Sequence, residues 1–383
     1  MTYPITSEMT ASALAPDQDR LSQLFGRAEG LLPLWIAEPY LEPAPGVQAA
    51  LASRAGRRWY GYETRPDSLA EAFWSWMQAR HNWDRAGLET LVSPGIGTSI
   101  GVLLDLFTKP SDGVILQTPV FTDFKQLVVS SGRTVVRNSL ELAEGGYRMD
   151  LQGLAEQVWL PRNRLLILCN PHNPVGRLWS RDELRVVAEL CAKNKVFVIA
   201  DEIHADLVLG DRDFTPFAQV AEGTGVSWAA LHGPIKTFGL AGVCDSLLIT
   251  DSEELRDRFH QTRRRYHLVR NNIFSKVAFE AAYREGADWL DSMLGRVAQN
   301  IELLKDGLPS GIKLVEPEAT YLAWLDFREL GYDVPKLVER LVETGLALSP
   351  GHWFGREGAG FARMTIATEP EVTEEALKRL ARI

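Results

Sequence analysis

The sequence of 383 residues has little cysteine and no long apolar run. Its three cysteines, Cys169, Cys191 and Cys244, are far apart and in no metal-binding spacing, which argues against a disulfide framework and favours a reducing compartment. The longest apolar stretches, such as 165–169 and 196–200, are five residues long, whereas a membrane helix needs about 20. The N-terminus also has no basic region followed by an apolar run, the pattern of a signal peptide. These absences predict a soluble, cytoplasmic protein with no metal and no membrane partner.

The composition excludes several other classes of protein. With 45% apolar and 24% charged residues, it is neither disordered, collagen-like nor a coiled coil. The net charge of −9 argues against nucleic acid as a partner. An arginine patch is interpreted as a solvated helix face or a subunit surface; it comprises Arg256, Arg258, residues 263–265 and Arg270. A length of 383 residues, against roughly 150 for a typical domain, predicts two domains.

Short apolar runs alternate with amphipathic stretches through the middle of the chain. Runs typical of buried strands lie at residues 114–117, 165–169, 196–200 and 246–250. A capping box of Ser180 and Glu183 predicts a helix to about Lys193, and Asp251 and Ser252 can cap another helix to about Tyr266. This alternation predicts an α/β fold with a largely parallel sheet and helices on both faces.

The pattern changes towards the C-terminus. Residues 320–326 alternate like a half-exposed strand between helical stretches, which indicates a second, smaller α+β domain. The boundary is expected at 280–290, inside a helical stretch. Residues 1–44 have little periodicity and are expected to pack on one of the domains. We therefore predict a large domain of residues 45–285 and a small domain of residues 1–44 and 286–383.

Two polar segments directly follow predicted strands, where ligands bind in open parallel sheets. Residues 169–177 contain two Asn-Pro dipeptides, which impose an extended, turn-rich backbone. This segment is either a rigid structural loop or a ligand-binding one. Residues 200–204 place Asp201 at the end of an apolar strand, and His204 follows three residues later. A carboxylate buried there needs a cation or a donor, unless it only caps the strand end.

Two glycine-rich segments are further candidates. Lys236 lies in residues 232–242, a loop rich in glycine and almost without charge, where a lysine is either a solvated surface group or a desolvated nucleophile with a lowered pKa. Residues 93–99 precede an apolar helical run and can present backbone N–H groups and hydroxyls to a phosphate. Alone, a glycine-rich loop is a weak signal.

In combination, the four segments resemble a known family. Motifs of its members stand in family order at Asn170–Gly176, Asp201–His204, Lys236–Gly242 and Tyr321–Asp326. The sequence resembles the fold-type I pyridoxal 5′-phosphate enzymes of aminotransferase class I/II, and most closely their cystathionine β-lyase (C–S lyase) subgroup, from about Leu31 to the C-terminus. The resemblance implies an aspartate-aminotransferase-like fold, with a mostly parallel seven-stranded sheet between helices and a small α+β domain.

The resemblance also implies roles for individual residues around the cofactor. Lys236 would form the Schiff base and move the proton at the substrate α-carbon, and Asp201 would pair with the pyridinium nitrogen. Asn173 and His204 would bond the phenolic oxygen of the ring, on which Phe121 would stack. The phosphate would be held by Gly97, Thr98 and Ser99, and by Tyr62 of a second subunit, which implies a homodimer with shared active sites.

The substrate side of the implied site departs from the family pattern. Arg363 would grip the substrate α-carboxylate next to Asn173. Two serines that relatives carry before the lysine are Gly233 and Ile235 here, which implies weaker retention of the cofactor. The segment 37–41 also differs from relatives and borders the pocket, so Glu38 and Tyr40 are expected to bind substrate.

The resemblance implies an enzyme with a small-molecule substrate. The expected reaction is β-elimination, in which a cysteine S-conjugate yields a thiol, pyruvate and ammonia. The rewritten pocket favours a large conjugate of specialised metabolism, such as that of lincosamide-type antibiotics. An aminotransferase or a decarboxylating deaminase acting on an amino acid or a cysteine conjugate is the alternative on the same scaffold. A non-enzymatic regulator is a more remote alternative.

Overall fold

The computed structural model describes residues 13–64, 67–268 and 272–383. Arg270 and residues 1–12 of the predicted small domain therefore lie outside the described residues. Within the described ranges, no helix is long and apolar enough to cross a membrane.

The chain alternates between helices and strands over most of its length. The strands are β1 (Leu32–Pro33), β2 (Glu89–Ser93), β3 (Gly113–Leu116), β4 (Thr134–Arg137), β5 (Glu141–Ala143), β6 (Gly146–Arg148), β7 (Asn163–Cys169), β8 (Phe197–Asp201), β9 (Trp228–His232), β10 (Ser246–Thr250), β11 (Lys313–Val315), β12 (Leu322–Asp326), β13 (Leu346–Ala347), β14 (Ser349–Pro350) and β15 (Phe361–Thr365). The helices are α1 (Gln18–Phe25), α2 (Pro45–Ala55), α3 (Ser68–His81), α4 (Ile96–Phe107), α5 (Thr122–Ser130), α6 (Leu151–Trp159), α7 (Arg181–Asn194), α8 (Phe217–Ala221), α9 (Pro234–Thr237), α10 (Glu253–Arg265), α11 (Ile273–Glu285), α12 (Ala287–Gly307), α13 (Val334–Glu343) and α14 (Pro370–Leu380). Short 3₁₀ helices span Arg328–Leu330, Gly351–Phe354 and Arg356–Gly358.

A seven-stranded sheet forms the centre of the molecule, in the order β2-β10-β9-β8-β7-β3-β4. Strand β10 runs antiparallel to both of its neighbours, and the other pairs are parallel. The predicted α/β fold with a mostly parallel sheet is therefore confirmed. The four predicted strands correspond to β3, β7, β8 and β10, with bounds within two residues of the predicted ones.

Both faces of this sheet are apolar. Leu165 and Ile167 of β7 belong to one core cluster, whereas Leu166 and Leu168 belong to the other. Successive side chains of a strand point to opposite faces, so helices must cover the sheet on both sides. This explains why the strands appear in the sequence as continuous apolar runs.

The two predicted helix starts are confirmed by their caps. The Ser180 hydroxyl accepts a hydrogen bond from the Glu183 N–H at 3.2 Å, and the Glu183 carboxylate accepts one from the Ser180 N–H at 2.9 Å. This capping box begins α7. At α10, the Ser252 hydroxyl accepts from the Leu255 N–H at 3.1 Å.

The arginines of the patch are tied to their own chain. Arg256 pairs with Glu89 at 3.0 Å, and Arg258 donates to the Leu106 carbonyl at 2.6 Å. Arg263 donates to the Val92 carbonyl at 2.6 Å. These three contacts hold part of the patch on its own chain, and both interpretations of it, a solvated helix face or a subunit surface, stay predictions.

A second, antiparallel sheet has the order β11-β12-β15-β14. The expectation that residues 320–326 form a half-exposed strand is wrong, because Leu322 to Leu325 of β12 are buried. The Trp324 ring stacks on Phe361 with centroids 5.1 Å apart, and its indole N–H donates to the Tyr147 hydroxyl at 3.1 Å. The hairpin of β5 and β6 thus covers the face that the alternation assigned to solvent.

The described part of the N-terminal segment packs on C-terminal elements. Strand β1 pairs in parallel with β13, where Leu32 lies opposite Leu346. Leu21 and Phe25 of α1 form a small cluster with Trp35 and Ala347. Helices α11 and α12 meet at Gly286, inside the range predicted for the domain boundary. The division into two domains stays a prediction.

Candidate active site

A cavity of about 450 Å³ lies beyond the carboxyl ends of β7 and β8, beside the N-terminus of α4. Parallel strands place the residues that follow them at one edge of the sheet, which is where ligands bind in this type of fold. The cavity brings together side chains from distant parts of the sequence. Six residues predicted for the site line it: Gly97, Phe121, Asn173, Asp201, His204 and Lys236.

Lys236 is carried by α9, a helix of four residues. Its Nζ donates a hydrogen bond to the Ala37 carbonyl oxygen at 2.8 Å. Burial and, next, the positive charge of Arg363 lower the pKa of Lys236 to about 8, whereas the charges of Glu38 and Asp201 oppose this shift. Roughly a tenth of this amine is therefore neutral at pH 7.

Asp201 ends β8 and is buried. One of its oxygens accepts a hydrogen bond from the Ile203 N–H at 3.2 Å. Among the described residues, no lysine, arginine or histidine forms an ion pair with it, so of the cation or donor expected from the sequence this part of the chain supplies the donor, the Ile203 N–H. Burial raises the pKa of Asp201 to about 7, although the charge of Lys236 acts in the opposite direction. Asp201 is therefore suited to bind a cationic or proton-bearing ligand atom.

His204 lies beside Asp201 as a neutral ring. Burial, followed by the charges of Lys236 and Arg363, holds the pKa of His204 well below its ordinary value. The buried Nδ1 atom has no hydrogen-bond partner among the described residues. An unpaired polar atom in the wall of a cavity indicates that a ligand completes its bonding.

The Asn-Pro loop packs against a neighbouring segment and also faces the cavity through Cys169 and Asn173, and its role in ligand binding stays a prediction. The Asn170–Pro171 and Asn173–Pro174 peptide bonds are cis. Gly176 has a φ of +72°, and a Cβ atom there would lie 2.6 Å from the Pro317 side chain. The Glu318 N–H donates to the Gly176 carbonyl at 2.8 Å, which fixes the loop on the segment before β12.

Arg363 of β15 is buried and bonds neutral groups. Its guanidinium donates to the Asn173 side-chain oxygen at 3.0 Å, the Trp35 carbonyl at 2.8 Å and the Ser349 hydroxyl at 3.3 Å. It also lies 4.8 Å from the centre of the Phe354 ring. In the described ranges, no carboxylate forms an ion pair with it, and burial lowers its pKa to about 10. A buried cation without an anion is costly unless a ligand supplies the negative charge.

The segment of residues 35–40 contacts both Arg363 and Lys236. The Trp35 carbonyl accepts from Arg363, and the Ala37 carbonyl accepts from Lys236. Burial raises the pKa of Glu38, which the charge of Lys236 partly offsets, and burial together with the Glu38 charge raises the pKa of Tyr40. The sequence analysis identified Glu38 and Tyr40 but missed the carbonyl contacts, because backbone atoms leave no signal in a sequence.

Asp123 is a further residue that the sequence analysis missed. It lies in the first turn of α5, two residues after Phe121, and lines the cavity. Its charge acts on the pKa of both Lys236 and Arg363. The only signal in the sequence was its spacing from Phe121.

The predicted phosphate cup begins α4. Gly97 and Thr98 stand in the first turn, where backbone N–H groups have no partner within the helix, whereas the Ser99 N–H donates to the Gly95 carbonyl at 3.1 Å. Gly97 lines the cavity, whereas Thr98 and Ser99 lie behind it; the buried Ser99 hydroxyl has no partner among the described residues. Tyr62 is 83% exposed and lies outside the cavity of its own chain.

The two positions that replace the family serines differ in their surroundings. Gly233 is extended, and a Cβ atom there would lie 3.3 Å from the Asp245 carbonyl oxygen and from the Ser246 Cα. Ile235 lines the cavity next to Lys236. The structure therefore has room for a polar side chain at residue 235 but little at residue 233.

The residues present fit pyridoxal 5′-phosphate. The orphaned Ser99 hydroxyl and the free N–H groups of α4 suit a phosphate. Asp201 suits a protonated ring nitrogen, Phe121 offers an aromatic ring, and the partnerless His204 nitrogen suits a ring oxygen. Lys236 supplies an amine in the same cavity.

Comparisons with known proteins agree with this geometry. A family model described as aminotransferase class I and II matches residues 34–380. Cystathionine beta-lyase PatB of Bacillus subtilis (strain 168) is 34% identical over 367 residues, which cover 94% of each chain. Protein MalY of Escherichia coli (strain K12) is 30% identical over 352 residues, or 90% of this chain and 89% of MalY.

A solved structure shows the same fold. The crystal structure of cystalysin from Treponema denticola, which contains a pyridoxal 5′-phosphate cofactor, superposes with a TM-score of 0.91 at 29% identity, over 100% of this chain and 98% of cystalysin. The family resemblance found in the sequence is thereby confirmed. The chain belongs to the aminotransferase class I and II family.

Proposed function

We propose that this protein is a pyridoxal-phosphate-dependent C–S β-lyase that cleaves a cysteine S-conjugate to a thiol, pyruvate and ammonia. The observation that carries the proposal is the placement of Lys236 in the cavity wall together with Arg363, a buried cation without a carboxylate partner among the described residues, directly behind the wall residue Asn173. Arg363 is suited to bind the α-carboxylate of an amino acid, and Lys236 is suited to remove the proton from its α-carbon. PatB, at 34% identity, is a cystathionine beta-lyase by name.

The residues of the chain divide the work between binding and proton transfer. Arg363 binds the substrate carboxylate as a planar fork, and the Asn173 side chain keeps the guanidinium in place. Lys236, with a pKa of about 8, accepts the proton from the α-carbon and can donate it to the departing thiol. Asp201 holds the proton on the ring nitrogen of the cofactor. When bound, pyridoxal phosphate supplies an electron sink for the negative charge that develops at the α-carbon.

The lining of the cavity favours elimination over transamination. Among the described residues that line it, Lys236 is the only lysine or arginine. Arg363 does not line the cavity but bonds Asn173, which does, and is the cation available for the α-carboxylate; the lining residues offer no further lysine or arginine for the side chain of an acidic keto-acid acceptor. Elimination needs no acceptor, because the thiol leaves from the β-carbon and the remainder hydrolyses. An aminotransferase or decarboxylating deaminase remains the alternative.

The rewritten segment 37–41 supports a substrate other than cystathionine. Glu38 and Tyr40 lie within electrostatic reach of the catalytic cations and are suited to contact the substrate. Neither side chain lines the cavity itself, so a large cysteine conjugate would reach them by extending beyond it. A role in lincosamide-type antibiotic biosynthesis and a cytoplasmic location stay predictions from the sequence.

We also propose that the enzyme works as a homodimer. Tyr62, Trp59 and Tyr60 are 83%, 58% and 57% exposed. Three exposed aromatic side chains close together on one loop are costly to leave in water, and a second subunit would bury them. Tyr62 would then reach the phosphate in the partner's cavity.

A single assay tests the proposed reaction. The purified protein is incubated with pyridoxal phosphate and an S-alkyl cysteine, and free thiol and pyruvate are measured without any keto acid. We expect both products in equal amounts. Lys236→Ala should abolish them, whereas Lys336→Ala, which removes a lysine from the exposed face of α13, should not. Product that forms only when a 2-keto acid is added would contradict the lyase and indicate the aminotransferase.

A further inference from the structure

Two buried carboxylates connect the segment of residues 201–206 with the segment of residues 232–237. The Glu202 carboxylate lies 2.7 Å from His232 Nε2 as a close polar contact, although neither of these two atoms forms a hydrogen bond with the described residues, and the side chains are 0% and 2% exposed. The Asp206 carboxylate accepts a hydrogen bond from the Thr237 hydroxyl at 2.8 Å. His232 precedes Lys236 by four residues and Thr237 follows it directly, so the two contacts enclose the lysine from both sides.

Both carboxylates are themselves fixed by other elements. The second Asp206 oxygen accepts from the Trp76 indole at 2.7 Å and lies 2.8 Å from His81 Nε2, which ties it to α3. These donors keep the pKa of Asp206 below its ordinary value although it is buried. The other oxygen of Glu202 accepts from the Phe217 N–H, at the start of α8, at 2.6 Å.

The turn that carries Lys236 has little regular structure of its own. Helix α9 has four residues, and Gly233 precedes it. Gly239 follows with a φ of +66°. The Phe238 N–H donates to the Pro234 carbonyl at 3.0 Å, which closes a single turn. One helical turn between glycines is weakly fixed, and neighbouring contacts must therefore set its position.

The segment of residues 201–206 carries the groups that would bind the ring of the cofactor. Asp201 and His204 line the cavity, and Glu202 and Asp206 alternate with them along the same loop. The loop thus presents one set of polar side chains to the cavity and another to the turn of Lys236. The backbone pairing of β8 with β9, in which the Glu202 N–H donates to the Leu231 carbonyl at 3.0 Å, already joins these segments, and the two side-chain contacts add to it next to Lys236.

We propose that Glu202 and Asp206 are positioning residues that hold Lys236 at the correct place relative to Asp201, through His232 and Thr237. This inference rests on the proposed cofactor chemistry of Lys236, because both residues must meet the same ring. The two carboxylates touch neither the cavity nor a ligand in it, and act only through the turn that they hold.

Thr237→Val tests this inference, because valine has the shape of threonine but cannot donate to Asp206. Binding of pyridoxal phosphate is titrated through the visible absorption of the lysine-bound cofactor, without substrate. We expect an affinity about tenfold weaker than in the unaltered protein, as for the loss of one buried hydrogen bond. Thr237→Ser, which keeps the hydroxyl, should stay within about twofold.

Thr250→Val is the matched control. The Thr250 hydroxyl is equally buried and donates to the Trp228 carbonyl at 2.9 Å, away from the cavity. It should lower the melting temperature of the cofactor-free protein about as much as Thr237→Val does, but leave the cofactor affinity unchanged. Glu202→Gln, which changes the other contact, should weaken cofactor binding in the same direction even if Thr237→Val does not fold.

The outcomes separate this inference from the proposed function. If the unaltered protein binds the cofactor through Lys236, and Thr237→Val and Glu202→Gln both bind it equally well, the positioning role is wrong. Equal losses in Thr237→Val and Thr250→Val would also overturn it, because a purely structural role predicts that result. If the unaltered protein forms no lysine-bound cofactor at all, the proposed function itself fails.

Discussion

The Arg363 guanidinium donates a 3.0 Å hydrogen bond to the side-chain oxygen of Asn173, although 190 residues separate them in the chain. Arg363 belongs to the antiparallel sheet, and Asn173 follows a strand of the large sheet. The contact therefore joins the two sheets at the place where the substrate carboxylate is expected. Changes that alter the packing of one sheet on the other should affect substrate binding first.

Arg363→Lys should weaken substrate binding. A lysine cannot bond Asn173, Trp35 and a carboxylate in the planar geometry of a guanidinium. We expect a loss of about 2 kcal/mol, or roughly 30-fold in kcat/KM, mostly through KM. Steady-state kinetics of pyruvate formation measure it, with Arg328→Lys on the protein surface as the control. An unchanged KM would show that the carboxylate binds elsewhere.

Asp201→Asn should stabilise the cofactor-free protein at high pH. Burial raises the pKa of Asp201 from 3.8 to about 7, so the folded state binds a proton that the unfolded state has lost. The free energy of unfolding therefore falls as pH rises from about 4 to about 7, by an amount on the order of a few kcal/mol, and asparagine removes this loss.

Calorimetry of cofactor-free protein at several pH values checks this expectation. The difference in melting temperature between Asp201→Asn and the unaltered protein should grow from pH 4 to pH 7 and then stay constant. Leu166→Ala, which perturbs the core without removing a carboxylate, is the control: its difference in melting temperature should not follow this pH course. A difference independent of pH would mean that the carboxylate is not responsible.

Glu38→Gln should lower the pKa of Lys236 further. The negative charge of Glu38 favours the charged amine, and the positive charge of Arg363 opposes it. Arg363→Gln should accordingly raise the pKa of Lys236. The rate at which an acylating reagent labels Lys236 in cofactor-free protein, followed by mass spectrometry across the pH range, reports both shifts. Lys336 is the internal reference, and shifts of the same sign in both variants would refute this electrostatic account.

Ile235→Ser should bind pyridoxal phosphate more tightly than the unaltered protein. Ile235 lines the cavity, and a hydroxyl there restores a donor that relatives carry. One added bond to a phosphate contributes about 1.5 kcal/mol, or roughly tenfold in affinity. Gly233→Ser is the contrasting variant: its Cβ would lie 3.3 Å from two backbone atoms, so it should lower the melting temperature instead. A visible-absorption titration and a melting curve distinguish the two effects.

Mixing two inactive variants tests the shared active sites. If Tyr62 serves the cavity of the partner subunit, a hybrid of Lys236→Ala and Tyr62→Ala contains one intact site. Random pairing makes half of the dimers hybrids, so about a quarter of the activity should return on mixing. Activity is measured after co-refolding of equal amounts, with each variant refolded alone as the control. No recovery in hybrids verified by mass spectrometry would place Tyr62 outside the site.

The sequence was sufficient for the elements whose local signals are strong. The strand of residues 246–250 matches the prediction, because a five-residue apolar run between turns has few alternatives. The capping box at Ser180 identified the start of α7 for the same reason. The exposure of β12 was predicted wrongly, because the hairpin that buries Trp324 lies 177 residues earlier in the chain.

The sequence by itself determined which side chains can carry the chemistry: Lys236, Asp201, Asn173 and Arg363 all stand in motifs that can be read locally. The tertiary structure alone decided how they act on one another. The Ala37 carbonyl at Lys236, the Asp123 carboxylate at the cavity and the acid contacts around the lysine turn join residues distant in the chain. Burial and charge–charge distances set the pKa values of Lys236 and Asp201, and both quantities exist only once the chain has folded.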